Sequence, residues 1–318
     1  MDRYCLIGSP VAHSLSPVMM NRSFSLLGMD AAYGLRETTL DGLSSAVEEL
    51  VREGYRGWNV TMPLKQAMAG LCDRLSPESE IGGSVNTVKN DGGVLTGFTT
   101  DGTGAVRALS AAGIPVRGSR LTLLGTGGAA RAILIRAALD GAARLSVFYN
   151  SPKSRSIICD LRQKLGARSL TEIEVLPLSD RDLLTKRIRG SAALINATSV
   201  GMEGGPDPSG CPLPDPSCLS GSPYVYDIIY HPTKTPLMKM AEDAGCGNEC
   251  GISMLLYQGA ASFRIWTGRD MPVDGILPLL MSSLSPPFSA YFCSSPIIIA
   301  AISGALFPST SIVSSAVS

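Results

Sequence analysis

Histidine is nearly absent from this chain of 318 residues, which has only His13 and His231. The eight cysteines are scattered and form no C-x-x-C pair, so with two histidines there is no zinc set and no disulfide scaffold. No bound metal is expected. A surplus of either charge is missing as well, since Lys plus Arg and Asp plus Glu stand at 27 each. That balance excludes a basic field for nucleic acid and a polyacidic tail, and points to a small-molecule partner. The start, MDRYCLIGSP, has no basic segment followed by an apolar run of signal-peptide length, which predicts a cytoplasmic protein with reduced thiols.

Long hydrophobic runs are also lacking. The most apolar stretch, PIIIAAISGALF at 296–307, falls short of the roughly 20 residues of a membrane span and has Ser and Pro rather than Lys or Arg at its flanks. No charge follows Asp274, and 283–318 reads as a disordered apolar tail, with membrane contact as the alternative. No membrane span is expected.

The length suits two domains at about 100 to 200 residues each. Strand and helix patterns alternate in a βαβ series: YCLIG, then a helix from Pro17; AAYGLRE, then a helix from Leu40; GWNVTMP, then a helix from Leu64. A second series starts at 119–125 and continues with a helix from Ala129, then LSVFYN, EIEVLPL, AALINAT and YVYDIIY. It predicts a parallel sheet with helices on both faces. The expected domains are 1–101, joined by a returning helix within 252–282, and 102–251.

LTLLGTGGAARAIL sets Gly125, Gly127 and Ala130 in G-x-G-x-x-A spacing between an apolar strand and an Ala-rich helix. In that context glycines let the backbone approach a pyrophosphate seated on the helix amides; a plain Gly-rich turn is the bland alternative. The next strand ends at Asn150, with no acid to bind a ribose 2′-hydroxyl. Lys153 and Arg155 either face a 2′-phosphate, favouring NADP, or are solvated surface cations.

His13-Ser14-Leu15-Ser16-Pro17 puts two hydroxyls on one side of an extended segment before a helix, a pattern suited to a carboxylate. An N-cap role accounts for Ser16 alone. In Asn59-Val60-Thr61-Met62-Pro63-Leu64-Lys65, Asn59 and Thr61 share a strand face and Lys65 falls in the first helical turn, where the dipole disfavours a cation. Function rather than stability is the expected reason for that lysine. Asp101, before Gly102, is either functional or an N-cap.

Together and in order, VAHSLSP, NVTMPLKQ, GSVNTV, TTDGTG, GTGGAARA, NATSVGM and GISMLLYQGAASFRIWTG resemble the shikimate dehydrogenase family. The resemblance implies a substrate-binding α/β domain, a Rossmann-like doubly wound dinucleotide domain, and a C-terminal helix returning to the first. It implies NADP-dependent oxidation of shikimate and the reverse reaction, in chorismate and aromatic amino acid biosynthesis. By it Lys65 and Asp101 form the catalytic pair, Ser14 and Ser16 hold the substrate carboxylate, and Thr61, Asn86, Asp101 and Gln258 meet the ring hydroxyls, with Asn59 also on the substrate side and Tyr230 closing over the pocket. Gly125, Thr126, Gly127, Gly128, Ala129 and Ala130, with Asn150, Ser151, Lys153 and Arg155, would carry the dinucleotide phosphates. Thr198 and Met202 would flank the cofactor, and Ile228, Gly251 and Met254 would approach the nicotinamide.

The chain departs from the family pattern in three places. Ser151-Pro152 replaces the usual Arg-Thr after Asn150, Thr99 replaces an Asn, and Cys250 replaces an acid before Gly251. The first removes a stackable guanidinium and leaves NAD use open. Rival readings are a quinate/shikimate dehydrogenase using either cofactor, an NADPH-dependent reductase of another carbonyl compound, and a non-catalytic ligand-binding regulator of the same fold. A homodimer stays open.

Overall fold

The computed structural model describes residues 1–284; the predicted tail lies outside these from 285 on. The first part runs β1 (Asp2–Gly8), α1 (Ser16–Leu26), β2 (Ala31–Glu37), α2 (Leu43–Arg52), β3 (Gly57–Val60), α3 (Lys65–Ala69), β4 (Arg74–Leu75), α4 (Pro77–Gly82), β5 (Thr87–Asp91) and β6 (Val94–Phe98). Next come α5 (Asp101–Ala111), β7 (Arg120–Leu124), α6 (Gly128–Leu139), β8 (Arg144–Tyr149), α7 (Pro152–Gly166), β9 (Glu172–Pro177), α8 (Arg181–Arg189) and β10 (Ala193–Asn196). The chain continues through β11 (Tyr224–Asp227), α9 (Pro236–Asp243), β12 (Asn248–Cys250), α10 (Ile252–Thr267) and α11 (Val273–Ser282).

Strands β7 to β12 form a six-stranded parallel sheet in the order β12-β11-β10-β7-β8-β9. Its central strands β7 and β10 are buried from Leu121 to Leu124 and from Ala193 to Asn196 because helices cover both faces. The strand order reverses between β7 and β10, the crevice where doubly wound sheets bind ligands.

The first sheet, β2-β1-β3-β5-β6-β4, is mixed rather than a simple βαβ series. β5 pairs antiparallel with β3 and with β6, the latter through a hairpin turned at Gly92-Gly93, both at positive φ. A two-residue Gly-Gly loop favours that turn, and the sequence carried the signal. Two helices also start or stop away from expectation. The helix expected from Leu40 begins at Leu43, and the one from Leu64 is only five residues long. The 252–282 segment is two helices, because Gly268 takes a left-handed C-cap and α11 starts after Pro272.

Helix α10 returns to the first sheet as expected. Phe263 and Trp266 pack with Tyr4 and Phe24, and the Trp266 indole donates to the Val88 carbonyl at 2.8 Å. It also packs against α5, where a Cβ on Gly104 would lie 2.6 Å from the Met254 carbonyl oxygen. Gly104→Ala should therefore force two helix backbones apart. We expect a loss of about 1–3 kcal/mol, read as a lower urea midpoint; an unchanged midpoint refutes this account of the contact.

Candidate active site

Two cavities meet at the C-terminal edges of the two sheets. The smaller, about 240 Å³, is lined by Ser14, Ser16, Asn59, Thr61, Lys65, Asn86, Asp101, Tyr230 and Gln258, every substrate-side residue the sequence singled out. Gly251, Met254 and Ile228, expected near the nicotinamide, line it as well, with Leu6, Val60 and Leu255. Strand β3 ends at the cavity and delivers Asn59 to Thr61; α3 begins immediately after and brings Lys65.

Lys65 Nζ and an Asp101 carboxylate oxygen are 2.7 Å apart, with the side chains 30% and 16% exposed. The other carboxylate oxygen accepts from the Asn86 amide at 2.8 Å, and Asn86 Oδ1 in turn accepts from the Thr100 N–H at 2.8 Å. Asn86 thus fixes the carboxylate that faces the lysine. Asp101 is the first residue of α5, with Thr100 at the cap position, so it is not the N-cap. Ser16 is no cap either, since Leu15 holds that place; the Ser14 hydroxyl accepts from the Ser16 N–H at 3.2 Å.

Asn59 faces the cavity with its polar atoms already committed. Its oxygen accepts from the Tyr33 hydroxyl at 2.8 Å, and its amide lies 3.1 Å from the Asn86 carbonyl, Thr87 Oγ1 and Ser262 Oγ. It positions the floor of the site. Tyr33 also bonds Ser16, and burial holds its hydroxyl well above the ordinary tyrosine range.

The larger cavity, about 620 Å³, opens on the switch point. Gly125, Thr126, Gly127, Gly128, Ala129, Asn150, Thr198, Met202 and Ile228 line it. A Cβ on Gly125 would lie 2.6 Å from the Ala197 carbonyl oxygen, whereas one on Gly127 or Gly128 would meet nothing within 4 Å. Helix α6 therefore starts at Gly128 with open space before it and no side chain capping its amides. That cradle and donor set fit a pyrophosphate.

Some residues fall outside it. Ala130 is fully buried in the core and serves close helix packing. Lys153 and Arg155 are exposed on the first turn of α7, and Ser151 caps that helix by accepting from Ser154 N–H. Sequence reasoning missed Met62, Phe148, Leu178, Ala197, Ser199, Glu203, Ile229 and His231, which also line the cavity. Phe148, Ala197 and Ile229 lie at the ends of the sheet's strands, where the switch-point rule directs attention. Among the described residues no helix is long and apolar enough to cross a membrane, and no metal-binding cluster occurs.

Ile228 and Tyr230 line both cavities, so the larger one adjoins the cavity that holds the Lys65–Asp101 pair. A dinucleotide cradle ending beside a polar pocket with a lysine–carboxylate pair defines a two-domain oxidoreductase acting on a CH–OH group. The model of the shikimate dehydrogenase substrate-binding domain matches residues 6–88, and that of the shikimate 5'-dehydrogenase C-terminal domain matches 251–281. A shikimate dehydrogenase (NADP(+)) of Listeria monocytogenes serotype 4b is 42% identical over 275 residues, 86% of this chain and 94% of that protein. The crystal structure of shikimate 5-dehydrogenase from Listeria monocytogenes with shikimate and NAD aligns with TM-score 0.84 and 41% identity, over 88% of this chain and 96% of that one. The Thermus thermophilus enzyme in complex with NADP(H) and shikimate aligns with TM-score 0.77 and 34% identity, over 89% of this chain and 100% of that one. This chain belongs to the shikimate dehydrogenase family.

Proposed function

We propose that the protein catalyses the reversible NADP-dependent reduction of 3-dehydroshikimate to shikimate in the cytoplasm, on the route to chorismate and the aromatic amino acids. Residues 1–101 with α10 and α11 serve the substrate, and 102–251 serve the dinucleotide. The observation that carries the reading is the Lys65–Asp101 pair in a small polar cavity that shares Ile228 and Tyr230 with the cradle-bearing one.

When bound, the dinucleotide supplies the hydride donor or acceptor. Ser14 and Ser16 take the substrate carboxylate, while Thr61, Asn86 and Gln258 orient the ring hydroxyls. Lys65 Nζ takes the proton of the reacting hydroxyl in oxidation, and returns it in reduction while stabilising the developing alkoxide. Asp101, held by Asn86, orients the ammonium.

Steady-state kinetics with shikimate and quinate, each against NADP and NAD, tests the reading; no turnover of shikimate with either cofactor defeats it. We expect NADP to be favoured by about ten- to a hundred-fold in kcat/KM, or about 1.4 to 2.7 kcal/mol. The preference is modest because Ser151 and Pro152 offer no guanidinium and the exposed Lys153 and Arg155 must reach in. Lys153→Ala with Arg155→Ala should erase most of it and leave NAD use almost untouched. Equal or better use of NAD by the unmodified protein would contradict the NADP assignment and favour the quinate/shikimate branch.

A further inference from the structure

Two loops, 197–203 after β10 and 228–231 after β11, form one wall of the dinucleotide cavity. At their roots Asn196 and Asp227 stand opposite each other in the parallel register, both fully buried. The Asn196 amide donates to Asp227 Oδ1 at 3.0 Å, and Asn196 Oδ1 accepts from the Thr198 N–H at 3.1 Å and its hydroxyl at 2.7 Å. Asp227 Oδ1 also accepts from the Ile229 N–H at 3.2 Å, and Oδ2 from the Thr235 hydroxyl at 2.7 Å. Further out the same loops are clasped by Glu203 N–H to the His231 carbonyl at 3.1 Å and by a contact of His231 Nε2 with the Glu203 carboxylate at 3.0 Å.

Among the described residues no cation pairs with Asp227; a buried carboxylate so placed is costly, and the reaction gives this one nothing to do. Its chemistry suits the wall. An ionised carboxylate accepts from the Asn196 amide, the Ile229 N–H and the Thr235 hydroxyl at once; an amide or a carboxylic acid would turn a donor toward Thr235, whose hydroxyl must then rotate to accept it and loses its own acceptor. We propose that ionised Asp227 is a positioning residue for the dinucleotide, holding Thr198 on one loop and Ile228 to Tyr230 on the other at the spacing NADP(H) binding requires. This rests on the dinucleotide reading of the larger cavity.

Burial pushes the Asp227 carboxyl up to about 6, against the lowering effect of its three hydrogen bonds. The titratable groups facing it are the thiol of Cys211, itself raised by burial and by the Asp227 charge, and Cys250, its register partner on β12. The exposed Glu203 and His231 stand farther along the loops. The binding-competent form is the ionised one, so affinity is full above pH 7 and falls as pH drops through about 6. At pH 5 about one-tenth of the molecules are ionised, which raises the NADPH Kd about tenfold.

The test is NADPH binding to the full chain, followed by nicotinamide fluorescence from pH 5 to 8. The unmodified protein should lose about tenfold in affinity toward pH 5. Asp227→Asn, which imitates the protonated form, should bind about tenfold more weakly at pH 8, keep only the part of the loss toward pH 5 that protonation of the NADPH 2′-phosphate itself causes, at about pH 6, and leave the KM for shikimate at saturating cofactor unchanged. A pH profile in Asp227→Asn parallel to that of the unmodified protein overturns the proposal. If this variant does not fold, Thr235→Val decides: losing a hydrogen bond to the ionised form must move the midpoint upward, and an unmoved midpoint is fatal. Failure of the unmodified protein to bind NADPH at any pH removes the dinucleotide reading and this proposal together.

Discussion

Lys65→Ala should lower turnover by about 10²- to 10⁴-fold, the range set by losing a positioned proton-transfer group and the charge that stabilises an alkoxide. The KM for shikimate should change much less. Asp101 keeps its hydrogen bond from Asn86 in the variant, so the carboxylate stays in place without its ammonium. Steady-state kinetics checks the split between kcat and KM. Unchanged turnover would remove Lys65 from the chemistry.

The second large effect is expected at the carboxylate end. Ser14→Ala combined with Ser16→Ala should raise the KM for shikimate about a hundredfold or more, since each hydrogen bond to a charged group contributes roughly 1.5 to 3 kcal/mol. NADPH affinity should stay nearly unchanged, because neither serine lines the larger cavity. Ser16→Ala also deprives the buried Tyr33 hydroxyl of one partner while leaving it Asn59 at 2.8 Å. Ser14→Ala alone therefore separates substrate affinity from that rearrangement. Loss of NADPH binding with shikimate binding retained would reverse the assignment of the two halves.

Much of this site was legible in sequence wherever local chemistry decides. The G-x-G-x-x-A turn between β7 and α6, the helix at 252–267 and the lysine set against the dipole of α3 all depend on residues within a few positions of one another. What sequence misjudged depends on distant partners. Asn59 lines the substrate cavity as expected, but its bonds to Tyr33, Thr87 and Ser262 were not legible locally. Ala130 matched a cofactor motif, but its position turns it into the core. Asp227 carried no local signal, because its donors arrive from β10 and from the cap of α9.

Sequence alone was enough to place strands and helices over most of the chain, and to pick out the Gly-rich turn that opens the larger cavity. Periodicity and turn chemistry act over a few residues, so they survive reading without a fold. The folded chain alone shows that β5 runs against both of its neighbours in the first sheet, that β10 lies beside β7, and that Lys65 meets Asp101 at a separation of 36 residues. Pairing, register and burial satisfy backbone and side-chain polar groups across the whole chain at once, and no local window contains that information.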